Sequence, residues 1–211
     1  MFEVVLKALG ETLSMVFFSS IFSIIIGFIL AIIVTVTSPN GLKPIKIVYE
    51  ILGLVINVLR GFPFVILMVA IIPFTKMIAG TFIGVKGAII PLTIAAIPFV
   101  ARIIESALKE VDPGVIESAK AFGASNTQII FKVMIKEAIP SIVSGLTLIV
   151  ISIIGYSAMA GAVGGGGLGN LAITYGYQRF QTDIMIITVI ILIIIVQVLQ
   201  SLGNYVYKKL S

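Results

Sequence analysis

The run from Ile184 to Val206, IMIITVIILIIIVQVLQSLGNYV, contains no charged residue and is too long and too uniformly apolar for the core of a soluble domain. A bilayer core about 30 Å thick takes roughly 20 apolar residues per helical span, and four further windows match it. These are Met15 to Val36, Leu54 to Phe74, Gly87 to Leu108 and Pro140 to Val163. With 59% hydrophobic residues, 11% charged residues and a mean hydropathy of +1.23, the chain is expected to be an all-α integral membrane protein with five transmembrane helices.

An odd number of spans puts the termini on opposite sides, and loop charge selects the cytoplasmic side. One set of loops carries Lys43, Lys46, Lys109, Lys120, Lys132, Lys136, Lys208 and Lys209; the other carries Lys7, Lys76, Lys86 and Arg179. Eight positive charges against four place the N-terminus outside and the C-terminus in the cytoplasm. Arg60 and Arg102 then lie toward the cytoplasmic ends of spans two and three, where long side chains snorkel. The net charge of +5 is accounted for by a basic membrane face, so no nucleic-acid partner is expected.

Absent residue types narrow the chemistry. Without Cys or His, the chain has no disulfides, no thiolate or imidazole catalysis and none of the common zinc sites. It has no GxxxxGK[ST] loop, so no nucleotide site of its own is expected. The run GAVGGGGLGN, residues 161–170, includes Gly164, Gly166 and Gly169 at GxGxxG spacing, but the dinucleotide motif needs a preceding strand. Here a membrane span precedes it. The glycines therefore read either as a flexible outer loop or as a close-packed or re-entrant segment near a gate. Glu105 and Asp183 sit at span ends, giving little support to an ion-coupled carrier.

No internal repeat is evident, and residues 1–211 read as one membrane domain. SPNGLKP, residues 38–44, ends span one with turn residues. The apolar run from Ile47 to Phe74 exceeds one span, so its start is expected to lie at the interface. Pro63, Pro73, Pro91 and Pro98 free backbone carbonyls in spans two and three, which reads either as a mark of inner helices or as the ordinary higher frequency of proline in membrane helices.

The stretch from 109 to 139, between spans three and four, is the largest polar element. Asp112 before Pro113 reads as an N-cap followed by proline at the first helical position. Val115, Ile116, Ala119 and Phe122 recur on one predicted face, and Gly123 ends that helix. Glu117 and Lys120, at i and i+3, are expected to stabilise each other weakly. Ser125 and Gln128 have capping-box spacing and open a second helix, with an apolar stripe of Ile129, Ile130, Val133 and Met134 and with Lys132 and Lys136 facing away. By composition this is an amphipathic hairpin on the membrane surface. A helix as short as 113–122 is marginal in water, which points to a docking partner.

ESAKAFGAS, residues 117–125, resembles the EAAxxxG motif of permease subunits of bacterial ABC importers, with Glu117, Ala119 and Gly123 matching and Ser118 replacing an alanine. RGFPFVIL (60–67), IIPFTK (71–76), IIPLTIAAIPFVAR (89–102) and GYSAMAGAVGGGGLGNLAITYGYQRFQTD (155–183) extend the likeness over nearly the whole chain from about residue 40. Together they resemble the permease family of methionine-uptake ABC importers. Lys136 stands where that family commonly has proline, while Pro140 is retained, so the second loop helix is expected to run on unbroken toward span four.

The resemblance implies a type I importer permease in the bacterial inner membrane, working as a homodimer with two ATP-binding subunits and an extracytoplasmic substrate-binding lipoprotein. ATP and Mg would be bound by the partner ATPase, with no cofactor on this chain. It implies that Asp112, Pro113, Glu117, Ser118, Ala119, Lys120, Gly123 and Ala124 form the ATPase-coupling element. Glu117 would make a charge-assisted contact and Gly123 would allow close backbone approach. It further implies that Tyr156, Ser157, Ala158, Met159 and Gly161 line the translocation path, with Met159 as a flexible apolar plug. A permease for another amino acid shares these features; a stand-alone carrier or channel is the rival of a different class.

Overall fold

The computed structural model describes residues 2–210, and every regular element among them is helical. In chain order these are α1 (Phe2–Thr37), α2 (Lys46–Gly61), α3 (Phe64–Ala70), α4 (Ile72–Ala79), α5 (Gly84–Lys109), α6 (Pro113–Ala121), α7 (Asn126–Gly165), α8 (Gly167–Leu171) and α9 (Thr182–Leu210). α7 includes widened i→i+5 turns at Ile129–Met134 and Gly161–Gly165, and α8 continues as such a turn through Ala172–Gln178.

Four helices, α1, α5, α7 and α9, are each long and apolar enough to cross a bilayer, and the bent pair α2 and α3 makes a fifth crossing if counted as one span. The uninterrupted second span expected over 54–74 is therefore corrected. The chain turns by 107° between Gly61 and Phe64. Pro63 has no N–H to continue the helix, and its ring forces Phe62 into extended backbone (φ −79°, ψ 125°). A second break at Ile71 separates α3 from α4, whose Pro73 sits in its first turn.

α5 is the central helix: 61% of its most apolar window is buried, against 11% for α9. Span three is thus an inner helix, the first of the two readings of its prolines, whereas α2 buries only Ile56. α1 lies along α5 through a face of small residues, Ser19, Ser23, Gly27 and Ala31. A Cβ at Gly27 would fall 2.6 Å from Val100 of α5, so only glycine permits this approach. Around the prolines of α5, Ser19 from α1 and Thr93 both donate to the Ile89 carbonyl, at 3.3 and 2.8 Å.

α1 begins well before the expected Met15. Its 36 residues extend about 54 Å at 1.5 Å per residue, more than a bilayer core requires. The added turns pack Val5 and Ala8 against Leu168, Leu171 and Ile184 at the end of the molecule away from α6.

Candidate functional site: the 110–134 loop and the open face of α7

α6 is built by local rules. The Asp112 carboxylate accepts the Gly114 amide at 2.7 Å, and Pro113 opens the helix where its missing N–H costs nothing. At the other end Gly123 takes φ +78°, with the Gly123 amide donating to Lys120 O and the Ala124 amide to Ala119 O. This is the Schellman arrangement. The next helix starts at once: Ser125 Oγ accepts the Gln128 amide (3.3 Å) and Gln128 Oε1 accepts the Ser125 amide (2.8 Å), the expected capping box.

α6 turns only part of its apolar side inward. Ile116 and Ala119 pack on the core with Val111, Ile129 and Met134. Val115 and Phe122, placed by helical spacing on the same face, are exposed, and Phe122 is 92% exposed. The single expected face is thus split, because α6 touches the bundle along one edge. Glu117 and Ser118 are exposed as well. No Glu117–Lys120 ion pair forms among the described residues, so the expected mutual support is absent. Beneath α6, a cavity of about 600 Å³ is bordered by Ser38, Asn40, Tyr49, Lys109, Glu117 and Lys120.

From Asn126 the chain is helical to Ala162, with Lys136 and Pro140 both inside the helix, before it breaks at Val163 and Gly164. The helical run 126–162 extends about 55 Å at 1.5 Å per residue. α7 therefore joins the turn behind α6 directly to the opposite end of the molecule.

The five expected path residues share this helix but not one face. Tyr156 stacks on Phe64 of α3 (centroids 5.1 Å apart), and Ser157 is buried, donating to Ile154 O at 2.7 Å. Ala158 is half-buried, and Gly161 packs so closely on Asn170 that a Cβ has no room. Met159 alone among them is open, 47% exposed. Helical rotation separates them by about 100° per residue, so a consecutive set has no common face.

The open face is instead a stripe that sequence reasoning missed. Between Ser141 and Ala162 every exposed residue falls on it: Ser141, Ser144, Leu148, Ser152, Gly155, Met159 and Ala162, spaced by three or four. Elsewhere the exposed membrane surface is bulky, as with Phe17, Ile21 and Ile25 on α1 and Ile186, Ile190 and Ile193 on α9. Ser152 satisfies its hydroxyl on the Leu148 carbonyl at 2.9 Å, and serines and a glycine in place of bulky side chains allow close approach, so such a stripe suits a neighbouring protein surface or a path better than lipid. The i, i+3, i+4 spacing of small residues was its legible signal.

Beyond Met159 the glycine run forms a tight hairpin rather than a flexible loop. Val163 (φ −110°, ψ 24°) and Gly164 (φ 97°, ψ 10°) break the helix, and Gly169 sits against the Ala158 backbone. α1 caps the returning helix: Glu11 Oε2 accepts the Gly167 amide (2.7 Å) and Thr12 Oγ1 accepts the Leu168 amide (2.8 Å).

Glu105 also departs from expectation. It lies near the end of α5 but is only 3% exposed, paired at 2.6 Å with both Arg102 and Lys109. Arg102 does not snorkel; its second guanidinium nitrogen reaches Asn57 Oδ1 at 3.0 Å and Gly53 O at 3.3 Å on α2. Arg60 lies over the Phe99 ring at 5.3 Å. Cations at i−3 and i+4 around a membrane-end glutamate were a readable sign of this cluster.

A multi-span helical protein with a capped helix-turn-helix at one end of a membrane-crossing helix, and a small-residue stripe along that helix, has the architecture of a transport permease. The chain belongs to the family of binding-protein-dependent transport system inner membrane components, whose profile matches residues 23–211. It is 47% identical over 209 residues to the probable D-methionine transport system permease protein MetI of Vibrio cholerae, covering 99% of this chain and 93% of that one. It is 44% identical over 170 residues to the methionine import system permease protein MetP of Bacillus subtilis, covering 81% and 77%. Among solved structures it superposes on a chain of the MetNI methionine ABC transporter in an inward-facing form, with TM-score 0.98, 39% identity and coverage of 100% and 98%.

Proposed function

We propose that this chain is the permease subunit of an ATP-binding-cassette importer that carries methionine, in both D and L forms, across the bacterial inner membrane. It works as a homodimer of ten spans with two ATP-binding subunits, which hold ATP and Mg, and receives substrate from an extracytoplasmic binding lipoprotein. The N-terminus faces outward and the C-terminus the cytoplasm, in keeping with the eight-to-four loop charge. The likeness to the methionine permeases over nearly the full chain supports the substrate.

α6 is the coupling helix in this reading. Its exposed Glu117 and Phe122 supply a charge and an apolar knob to a groove of the ATPase, while Asp112 and Pro113 start the helix and Gly123 and Ala124 turn it back. The observation that carries the mechanism is the continuous course of α7 from Asn126 to Ala162. A displacement of the turn at Gly123 moves a rigid rod that bears the stripe from Ser141 to Ala162, with Met159 near its far end. In the dimer the two stripes face each other across the path, Met159 closing it with a flexible thioether. Alternating access then follows from tilting rods rather than from chemistry on this chain.

The test is uptake of labelled methionine by the assembled complex in proteoliposomes, with other amino acids as competitors. ATP-dependent uptake competed by methionine alone is the expected result. Uptake by this chain without any ATPase, or selective competition by another amino acid, overturns the reading.

A further inference from the structure

The buried cluster at the end of α5 has no part in the mechanism above. Glu105 has one cation on each oxygen: Arg102 Nη1 on Oε2 and Lys109 Nζ on Oε1. All three residues belong to α5, so these ion pairs join nothing by themselves. Their effect is to aim the two cations at α2. Arg102 donates to Gly53 O and Asn57 Oδ1, and the Lys109 ammonium lies 5.3 Å above the Tyr49 ring. Tyr49, Gly53 and Asn57 are spaced by four, one line along α2.

A buried carboxylate held by two cations is a poor device for stability, since apolar side chains of similar volume serve as well or better, and the pair to Lys109, 42% exposed, adds little. What it supplies is a fixed geometry. Its position is telling. Lys109 is the last residue of α5 and α6 begins at Pro113. At the far end of α2 the chain bends into α3, whose Phe64 stacks on Tyr156 of α7, three residues before Met159.

We infer that this cluster is a transmission clamp. Glu105 is a positioning residue that holds Arg102 and Lys109 on α2, so α2 travels with α5 when α6 is displaced. The motion then reaches Tyr156 through α3, by a route separate from α7. The inference rests on the coupling role proposed for α6.

The experiment uses the complete complex in proteoliposomes and counts ATP hydrolysed per methionine taken up. Asn57→Ala, which removes an acceptor from an exposed position, is expected to raise that ratio about threefold or more, within the range by which network residues alter coupling. Asn57→Asp keeps an acceptor for Arg102 and restores the native ratio, which loss of α2 packing alone does not predict. Glu105→Gln is expected to uncouple at least as strongly. In parallel, spin labels on Ile51→Cys and Ser106→Cys, both exposed in a chain without native cysteine, read the α2 to α5 distance. That distance is expected to stay constant between nucleotide-free and vanadate-trapped states and to change only in Asn57→Ala.

The clamp is overturned if the label distance changes with nucleotide in the native complex. It is equally overturned if Asn57→Ala and Glu105→Gln both keep the native ratio. Absence of ATP-driven methionine uptake by the native complex overturns the functional reading instead, and the label distance still decides the clamp.

Discussion

Glu11 of α1 accepts the backbone amide of Gly167 at 2.7 Å, a bond across 156 residues that ties the start of the first helix to the hairpin beyond Met159. With Thr12 on the Leu168 amide, it caps the helix that returns from the glycine run. These amides are buried and have no water to replace a lost acceptor. Glu11→Ala is therefore expected to weaken the hairpin by about 1–3 kcal/mol. Hydrogen exchange of residues 161–171 should accelerate by about tenfold or more while the rest of the bundle is unchanged. Glu11→Gln, which keeps an acceptor oxygen, should lie between the two; equal protection in all three proteins rules out the cap.

The hairpin also predicts an asymmetry between glycines. A Cβ on Gly169 meets the Ala158 backbone, whereas one on Gly155 meets nothing within 4 Å. Gly169→Ala is expected to destabilise the solubilised protein by about 2 kcal/mol or more through overpacking, with reduced monodisperse yield. Gly155→Ala should leave the unfolding temperature unchanged. Reversal of that order in a thermal unfolding assay refutes the packing described for α7 and α8.

If α6 is the coupling helix proposed above, its exposed residues should affect association without affecting folding. Phe122 is 92% exposed, and burying a phenylalanine at an interface is worth about 1.5–3 kcal/mol. Phe122→Ala is expected to weaken binding of the ATPase by roughly tenfold or more in a titration in detergent, with unchanged thermal stability of the chain alone. A lowered stability with unchanged affinity contradicts the assignment.

Glu117 gives a second reading of the same surface. Glu117→Ala would remove the charge-assisted contact proposed to the ATPase, worth about 1.5–3 kcal/mol, and ATP-driven uptake should fall by about tenfold. Gly123→Ala should lower uptake too, and it adds a strain of about 1 kcal/mol at φ +78°. Native uptake by both variants contradicts the coupling role.

Met159 tests the path. In Met159→Ala the proposed plug would be shortened, and the expected outcome is slow methionine efflux from loaded vesicles without ATP. Tyr156→Ala should not leak in this way, because Tyr156 is turned against Phe64. Identical leak rates for the two variants contradict the assignment of the open face.

Residue order alone dictated the apolar spans, the two helices of the loop and their caps. Each depends on local rules: a window of hydropathy, an Asp before a Pro, a Gly at a left-handed turn, a Ser three residues before a Gln. The absence of a P-loop was equally legible, since that motif is contiguous. The bend at Phe62–Pro63 was only half legible. Pro63 announces a break, but its 107° depends on where α3 finds its contact with α7.

What only the tertiary structure decided was the partner of each side chain. Helical periodicity put Val115 and Phe122 with Ile116, yet α6 rests on the bundle along one edge, so two of the three stay outside. Hydropathy placed Glu105 at a span end; the packing of α2 on α5 buried it and turned Arg102 inward. Residues 156–159 and Gly161 read as one path, and the rotation of α7 against α3 and α8 left only Met159 of them on the open face. Local free energies select helices and their ends, but which face is covered depends on neighbours distant in the chain. Glu11 meets Gly167 because two helices pack, and no local pattern in either segment specifies that contact.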